Sequence, residues 1–166
     1  MTMPGTIRLP AAKDVRDMLT GLVGKDVAVS PGAPVTPTPD DPVSVGIFVD
    51  PYQNVNALCV MDLAASAYTA GALALLPPGG CQDSVEEDHE LTGMQLEALH
   101  EVMNVLSALF NVAGARHSRL DGLHCGDDIP GDVAGMLSAF NRLDLQIDVP
   151  GYGKGSLSLV VPSGAA

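Results

Sequence analysis

Basic residues are scarce in this chain of 166 residues, where eight lysines and arginines stand against twenty aspartates and glutamates. The formal net charge of −12 argues against nucleic acid or an anionic membrane as partner, because a phosphate-covered surface would repel the chain. Long apolar runs are missing as well. The longest apolar-rich stretch, Leu63 to Leu76, is broken by Ser66, Tyr68, Thr69 and Gly71, and is too short and too polar to span a bilayer. Cysteine is limited to Cys59, Cys81 and Cys125, an odd number without CxxC spacing. A disulfide framework is therefore not expected, and a reducing compartment is. The first residues lack a basic region followed by an apolar core, so no signal peptide is expected and the cytoplasm is the expected location. Neither a Walker loop nor a GxGxxG pattern occurs, and Gly151–Gly155 reads as a hairpin turn rather than a phosphate cradle.

Apolar residues make up 46% of the chain and mean hydropathy is +0.24, which excludes global disorder. The length suits one domain with a proper core. The expected division is a flexible arm over 1–12, a single domain over 13–162 and a tail over 163–166. Lys13–Val23 predicts a short helix with Val15, Met18, Leu19, Leu22 and Val23 on one face, stopped by Gly24. Asp26–Ser30 alternates like a strand, and the proline-rich Pro31–Pro42 reads as an exposed loop. Val43–Val49 and Asn56–Met61 predict a hairpin about the turn Asp50–Asn54. Asp62–Leu76, rich in alanine and leucine, predicts a helix that Pro77–Gly80 stops. Leu91–Val112 predicts the longest helix, with Thr92 and Gln95 as a capping box and Gly114 as its end. His117–His124 predicts a strand, Gly126–Gly131 a loop and Val133–Phe140 a short helical turn. Arg142–Val149 alternates with Leu143, Leu145, Ile147 and Val149 inward, and Gly155–Val161 returns as the last strand. Two helices covering an antiparallel sheet make an α+β fold.

Several features bear on chemistry. Asp83–Glu90 carries five acids in eight residues and reads as a solvated linker, without the turn glycine or ligand spacing of a calcium loop. His117, His124, Cys125, Asp127 and Asp128 cluster in sequence, but zinc ligands come as two spaced pairs and no second pair is evident. Cys125 has no histidine–asparagine partner pattern to make it a nucleophile. The most informative feature is a polar stripe on the long helix. At about 100° per residue, Glu97, Glu101, Asn104 and Asn111 fall in one sector, bordered by His100. An ordinary solvated face looks the same. Asparagine, however, is a poor mid-helix residue because its side chain competes for backbone hydrogen bonds, and such a local cost can mark a functional site.

The segment from Glu97 to Asn111, EALHEVMNVLSALFN, resembles the signature helix of the CheC/CheX chemotaxis phosphatase family, in which an acid or serine precedes Glu-x-x-Asn. The hairpin Val43–Met61 running into the helix Asp62–Leu76 is similar to the family's strand–strand–helix segment. LDLQIDVPGYGKGSLSLVV is similar to its terminal hairpin. The likeness covers roughly residues 13–162 and implies an antiparallel sheet with two long helices packed on it. It also implies an activity: hydrolysis of the aspartyl phosphate on a CheY-like response regulator. Asn104 would then hold a water in line with the scissile P–O bond, and Glu101 would pair with the lysine beside the phosphoaspartate. Glu97, His100 and Asn111 would contribute to binding. The protein would need no cofactor or metal of its own, since Mg2+ would belong to the partner regulator.

Three features depart from the family pattern. Glu97 stands where aspartate or serine is usual. The nearest counterpart of the family's downstream proline, Pro130, lies farther along than expected. The first helix, from Lys13, carries no Glu-x-x-Asn, so a single site makes the chain resemble CheX rather than CheC. The C-terminal motif of the flagellar switch relatives is absent too. The alternative reading is a non-catalytic CheX-like module that binds a receiver domain or serves dimerisation in a signalling or motility complex. A homodimer, through edge strands or sheet faces, is compatible with either.

Overall fold

The computed structural model describes residues 7–38, 42–111, 117–139 and 141–162. In chain order the elements are α1 (Ala12–Val23), β1 (Ala28–Pro31), β2 (Ser44–Val49), β3 (Val55–Met61), α2 (Leu63–Ala74) and α3 (Pro78–Asp83). They continue with α4 (Gly93–Leu106), β4 (Arg119–Cys125), α5 (Gly131–Met136), β5 (Arg142–Val149) and β6 (Gly153–Val160). The strands form one sheet in the order β1-β5-β6-β3-β2-β4. Every neighbouring pair in it is antiparallel.

Period-two alternation sorts the side chains of the sheet between its faces. Phe48 of β2, Ala57, Cys59 and Met61 of β3, Leu145, Ile147 and Val149 of β5, and Leu157 and Leu159 of β6 share one core with helices α1, α2 and α4. Val45, Ile47, Leu58, Val60 and Val160 form a second core on the opposite face, closed by Val35 and by Val133 and Leu137. The central strands β2 and β3 are thus covered on both sides, which is why they read as nearly unbroken apolar runs.

Each helix follows from its own residues. In α1, Val15, Leu19 and Val23 recur every four positions on the buried face, and Gly24 ends it with φ +71°. Asp62 caps α2 by accepting the Ala65 N–H at 2.8 Å. That helix is nearly all alanine, glycine and other small residues, so it buries almost its whole circumference. Thr92 and Gln95 cap α4 reciprocally, at 2.9 and 3.2 Å, as the sequence predicts.

Several sequence expectations are corrected. Ile7, expected in a loose arm, is buried in the helix-side core. The helix α2 does end before Pro77–Gly80, with Leu75 in the left-handed conformation, but a separate helix α3 begins at Pro78, where a missing N–H is harmless. The acidic linker is a π-helical turn over Ser84–Asp88, held by Gln95 Nε2 donating to Ser84 Oγ at 3.1 Å. The proline-rich loop is not wholly exposed, since Val35 is buried and its N–H donates to Ser158 Oγ at 3.0 Å. The long helix is regular only to Leu106 and tightens to a 3₁₀ turn over Ser107–Phe110. Beside the two long helices α2 and α4, the shorter α1 and Cys81 of α3 also join the main core, and α5 closes the other face. Gly114 and Phe140 lie outside the described residues.

Candidate functional site

Four candidate side chains sit on α4. Leu99, Val102, Met103 and Leu106 are fully buried and fix the rotation of the helix. Met103 lies directly over β2 at Gly46, where a side chain would reach its Sδ at 2.8 Å. Glu97, His100, Glu101 and Asn104 are consequently turned outward and exposed. Glu101 and Asn104, three residues apart, are neighbours on that ridge. Among the described residues none of these four side chains has a hydrogen bond or an ion pair. The main chain below Asn104 is tied down, since its carbonyl accepts the Ser107 hydroxyl at 2.6 Å. The ridge therefore combines free polar heads with a rigid base. A carboxylate there can only accept hydrogen bonds or pair with a cation, whereas a carboxamide can also donate.

Asn111 does not share the ridge. It follows the 3₁₀ turn with non-helical dihedrals. Its side chain is spent on the chain itself, with Nδ2 donating to the Ser118 carbonyl at 2.9 Å and Oδ1 accepting the Ser118 N–H at 2.6 Å. Ser118 is buried, so this pair holds the entry to β4. The helical wheel placed Asn111 beside Asn104 only by assuming a regular helix through both.

Beside the ridge, Leu96, Glu97 and His100 face Leu123 of β4 across a shallow hollow. Sequence reasoning missed the part of Leu96 and Leu123. The available signal was a leucine four residues before His100 on an otherwise polar face. A second hollow of about 320 Å³ adjoins the first at Leu96 and reaches Val43, Leu63, Leu91 and Cys125. The Cys125 thiol lies 3.4 Å from Ser44 Oγ, and burial pushes its pKa up, which keeps it a weak nucleophile at neutral pH. His124 Nδ1 meets Asp128 at 3.2 Å at the surface. Among the described residues no group of three or more histidine, cysteine, aspartate or glutamate side chains is arranged to hold a metal ion. No described helix is long and apolar enough to cross a membrane.

No family profile matches the chain, and no curated protein sequence does. Solved structures do match. The FliM of a FliG–FliM complex from H. pylori aligns with a TM-score of 0.60 at 14% identity, over 91% of this chain and 86% of that one. FliY from Thermotoga maritima aligns at 0.57 and 13%, over 93% of this chain and 85% of that one. A CheX–CheY complex with beryllofluoride and Mg2+ from Borrelia burgdorferi aligns at 0.55 and 12%, over 89% and 92%. The chain has the mixed α/β fold of the CheX and FliM middle-domain structures, with a six-stranded antiparallel sheet at its centre.

Proposed function

We propose that the protein is a phosphatase acting on the aspartyl phosphate of a CheY-like receiver domain, with Glu101 and Asn104 as its working residues. The observation that carries this reading is the pairing of an unengaged carboxylate and an unengaged carboxamide on the exposed ridge of a helix locked into the core. It is supported by the similarity of the fold to a CheX crystallised on CheY with beryllofluoride and Mg2+.

The chemistry asks little of such a protein. An acyl phosphate is already a good electrophile, so a water in line with the scissile bond suffices. Asn104 accepts a hydrogen bond from that water through its carbonyl oxygen and so aims the water's lone pair at phosphorus, and the water's protons leave with the phosphate. Being neutral, the carboxamide does not repel the phosphoryl oxygens. The water oxygen forms the new P–O bond, the bond to the aspartyl oxygen breaks with its electron pair going to the carboxylate, and inorganic phosphate leaves. Glu101 pairs with the receiver's active-site lysine and sets the register of the helix on its partner. Glu97 and His100 extend the contact along the ridge. The magnesium belongs to the receiver.

A second reading, docking without hydrolysis, is favoured by Glu97 at the first motif position and by the similarity of the fold to FliM held in a complex with FliG. Loss of phosphoryl groups from phosphorylated CheY-like receivers separates the two. Acceleration that falls about a hundredfold in Asn104→Ala supports hydrolysis. Binding without any acceleration gives the chain to the second reading.

A further inference from the structure

Leu96 lines both hollows beside α4, so they make a trough of two parts that meet at that side chain. The floor is apolar, made by Leu91, Leu96 and Leu123 with Val43 and Leu63. Leu96 keeps 37% of its surface exposed, although it sits on a helix with a saturated core face. Apart from His89 and His100, the ionisable side chains of the walls, thiol aside, are carboxylates. Glu97 lines the hollow beside Leu123, Glu90 lines the hollow beside Val43, and Asp127 lines the adjoining hollow with His89 and Gly126. No lysine or arginine lines any of the three hollows among the described residues.

We propose that this trough receives a basic segment of the partner protein, anchored by an apolar side chain over Leu96 and Leu123 with lysines or arginines facing Glu90 and Glu97. The proposal rests on the reading that α4 meets a partner protein, and it adds the chemistry of that partner's docking segment. Burial of the anchor against leucines supplies attraction without direction, and the acidic rim supplies the selection. An acidic segment would bring like charges together over an apolar floor, which discriminates against it. The same argument disfavours a second copy of this chain, whose net charge is −12.

Cys125 provides a reporter within the trough, because Cys59 and Cys81 are buried. A fluorescein-labelled hexapeptide of alternating leucine and lysine serves as probe, read by anisotropy and by the rate of maleimide alkylation of Cys125. Saturable binding is expected, with alkylation slowed about fivefold at saturation. Alternating leucine–glutamate and serine–lysine peptides should bind at least about tenfold more weakly, a difference of about 1.4 kcal/mol. Leu96→Asp and, independently, Leu123→Asp should abolish both signals while circular dichroism stays unchanged, and Glu90→Lys should weaken binding about tenfold. The proposal is overturned if the serine–lysine peptide binds as well as the leucine–lysine one, if binding leaves Cys125 unprotected, or if both aspartate variants bind normally. A dimer that Leu96→Asp dissociates would give the trough to a second copy and overturn it as well. Dephosphorylation of receivers is measured separately, so failure of the phosphatase reading leaves these signals unchanged and is told apart from failure of the docking site.

Discussion

Asparagine at position 104 lowers the helix propensity of α4, since asparagine is roughly 0.5 kcal/mol worse than alanine in a helix interior. Nothing among the described residues offsets this, because the side chain is exposed and makes no hydrogen bond. Asn111 is the opposite case, with both ends of its carboxamide bonded to the backbone of the buried Ser118. Truncating the two should therefore move stability in opposite directions. Asn104→Ala is predicted to raise the unfolding free energy by about 0.5 kcal/mol while losing the proposed activity. Asn111→Ala should lower it by about 1–3 kcal/mol, because a buried N–H and carbonyl are left without partners. Urea denaturation of the two variants beside the parent measures both. Equal losses would mean that Asn104 is a structural residue, and its assignment to chemistry would fall.

The seating of α2 and α4 on the sheet depends on two glycines of different tolerance. A Cβ at Gly155 of β6 would strike the backbone of Ala65 in α2, which cannot yield. A Cβ at Gly46 of β2 would strike the Met103 side chain, which can rotate away. Gly155→Ala is thus predicted to cost about 3 kcal/mol and Gly46→Ala about 1 kcal/mol, measured by thermal or urea unfolding. Comparable costs would show that α2 shifts as readily as a methionine. The elements themselves were legible wherever burial is one-sided. β5 alternates, α1 repeats every four residues, and α4 announces its start by Thr92 and Gln95. Other features were hidden because their causes lie far apart in sequence. The π turn over Ser84–Asp88 looks like solvated linker until Gln95 is brought to Ser84. The trough needs α4, β4 and the foot of β2 together, which no local pattern encodes. Exposure of Glu101 and Asn104 was legible, since 3.6-residue periodicity fixes which face of α4 is buried. The same periodicity misplaced Asn111, because it does not register a change to 3₁₀ geometry.

The folded molecule as a whole withholds several weak acids from water. Burial raises the thiol pKa of Cys59, Cys81 and Cys125, and the phenol pKa of Tyr68 and Tyr152. Nearby acids add to this, Glu86 at Tyr68 and Asp128 at Cys125, while hydrogen bonds from Gln95 and Ser44 partly oppose it at Cys81 and Cys125. The Tyr152 hydroxyl also donates to the Leu76 carbonyl at 2.6 Å, a bond that the phenolate cannot make. All five shifts run the same way, so their effect on stability accumulates. In the unfolded chain these groups titrate at their ordinary values, about 8.5 for a thiol and about 10 for a phenol. Above those values the unfolded state holds fewer protons than the folded one, and stability falls as pH rises. The contribution is complete at neutral pH and is lost through the alkaline range. The urea midpoint should accordingly hold steady from about pH 7 to 8 and drop by about pH 10. Cys59→Ala should flatten the drop, because it deletes the most deeply buried of the thiols. A midpoint that stays level to pH 10 would mean that water reaches these groups in the folded state, and the sheet–helix core would then have to open locally around Cys59 and Tyr152.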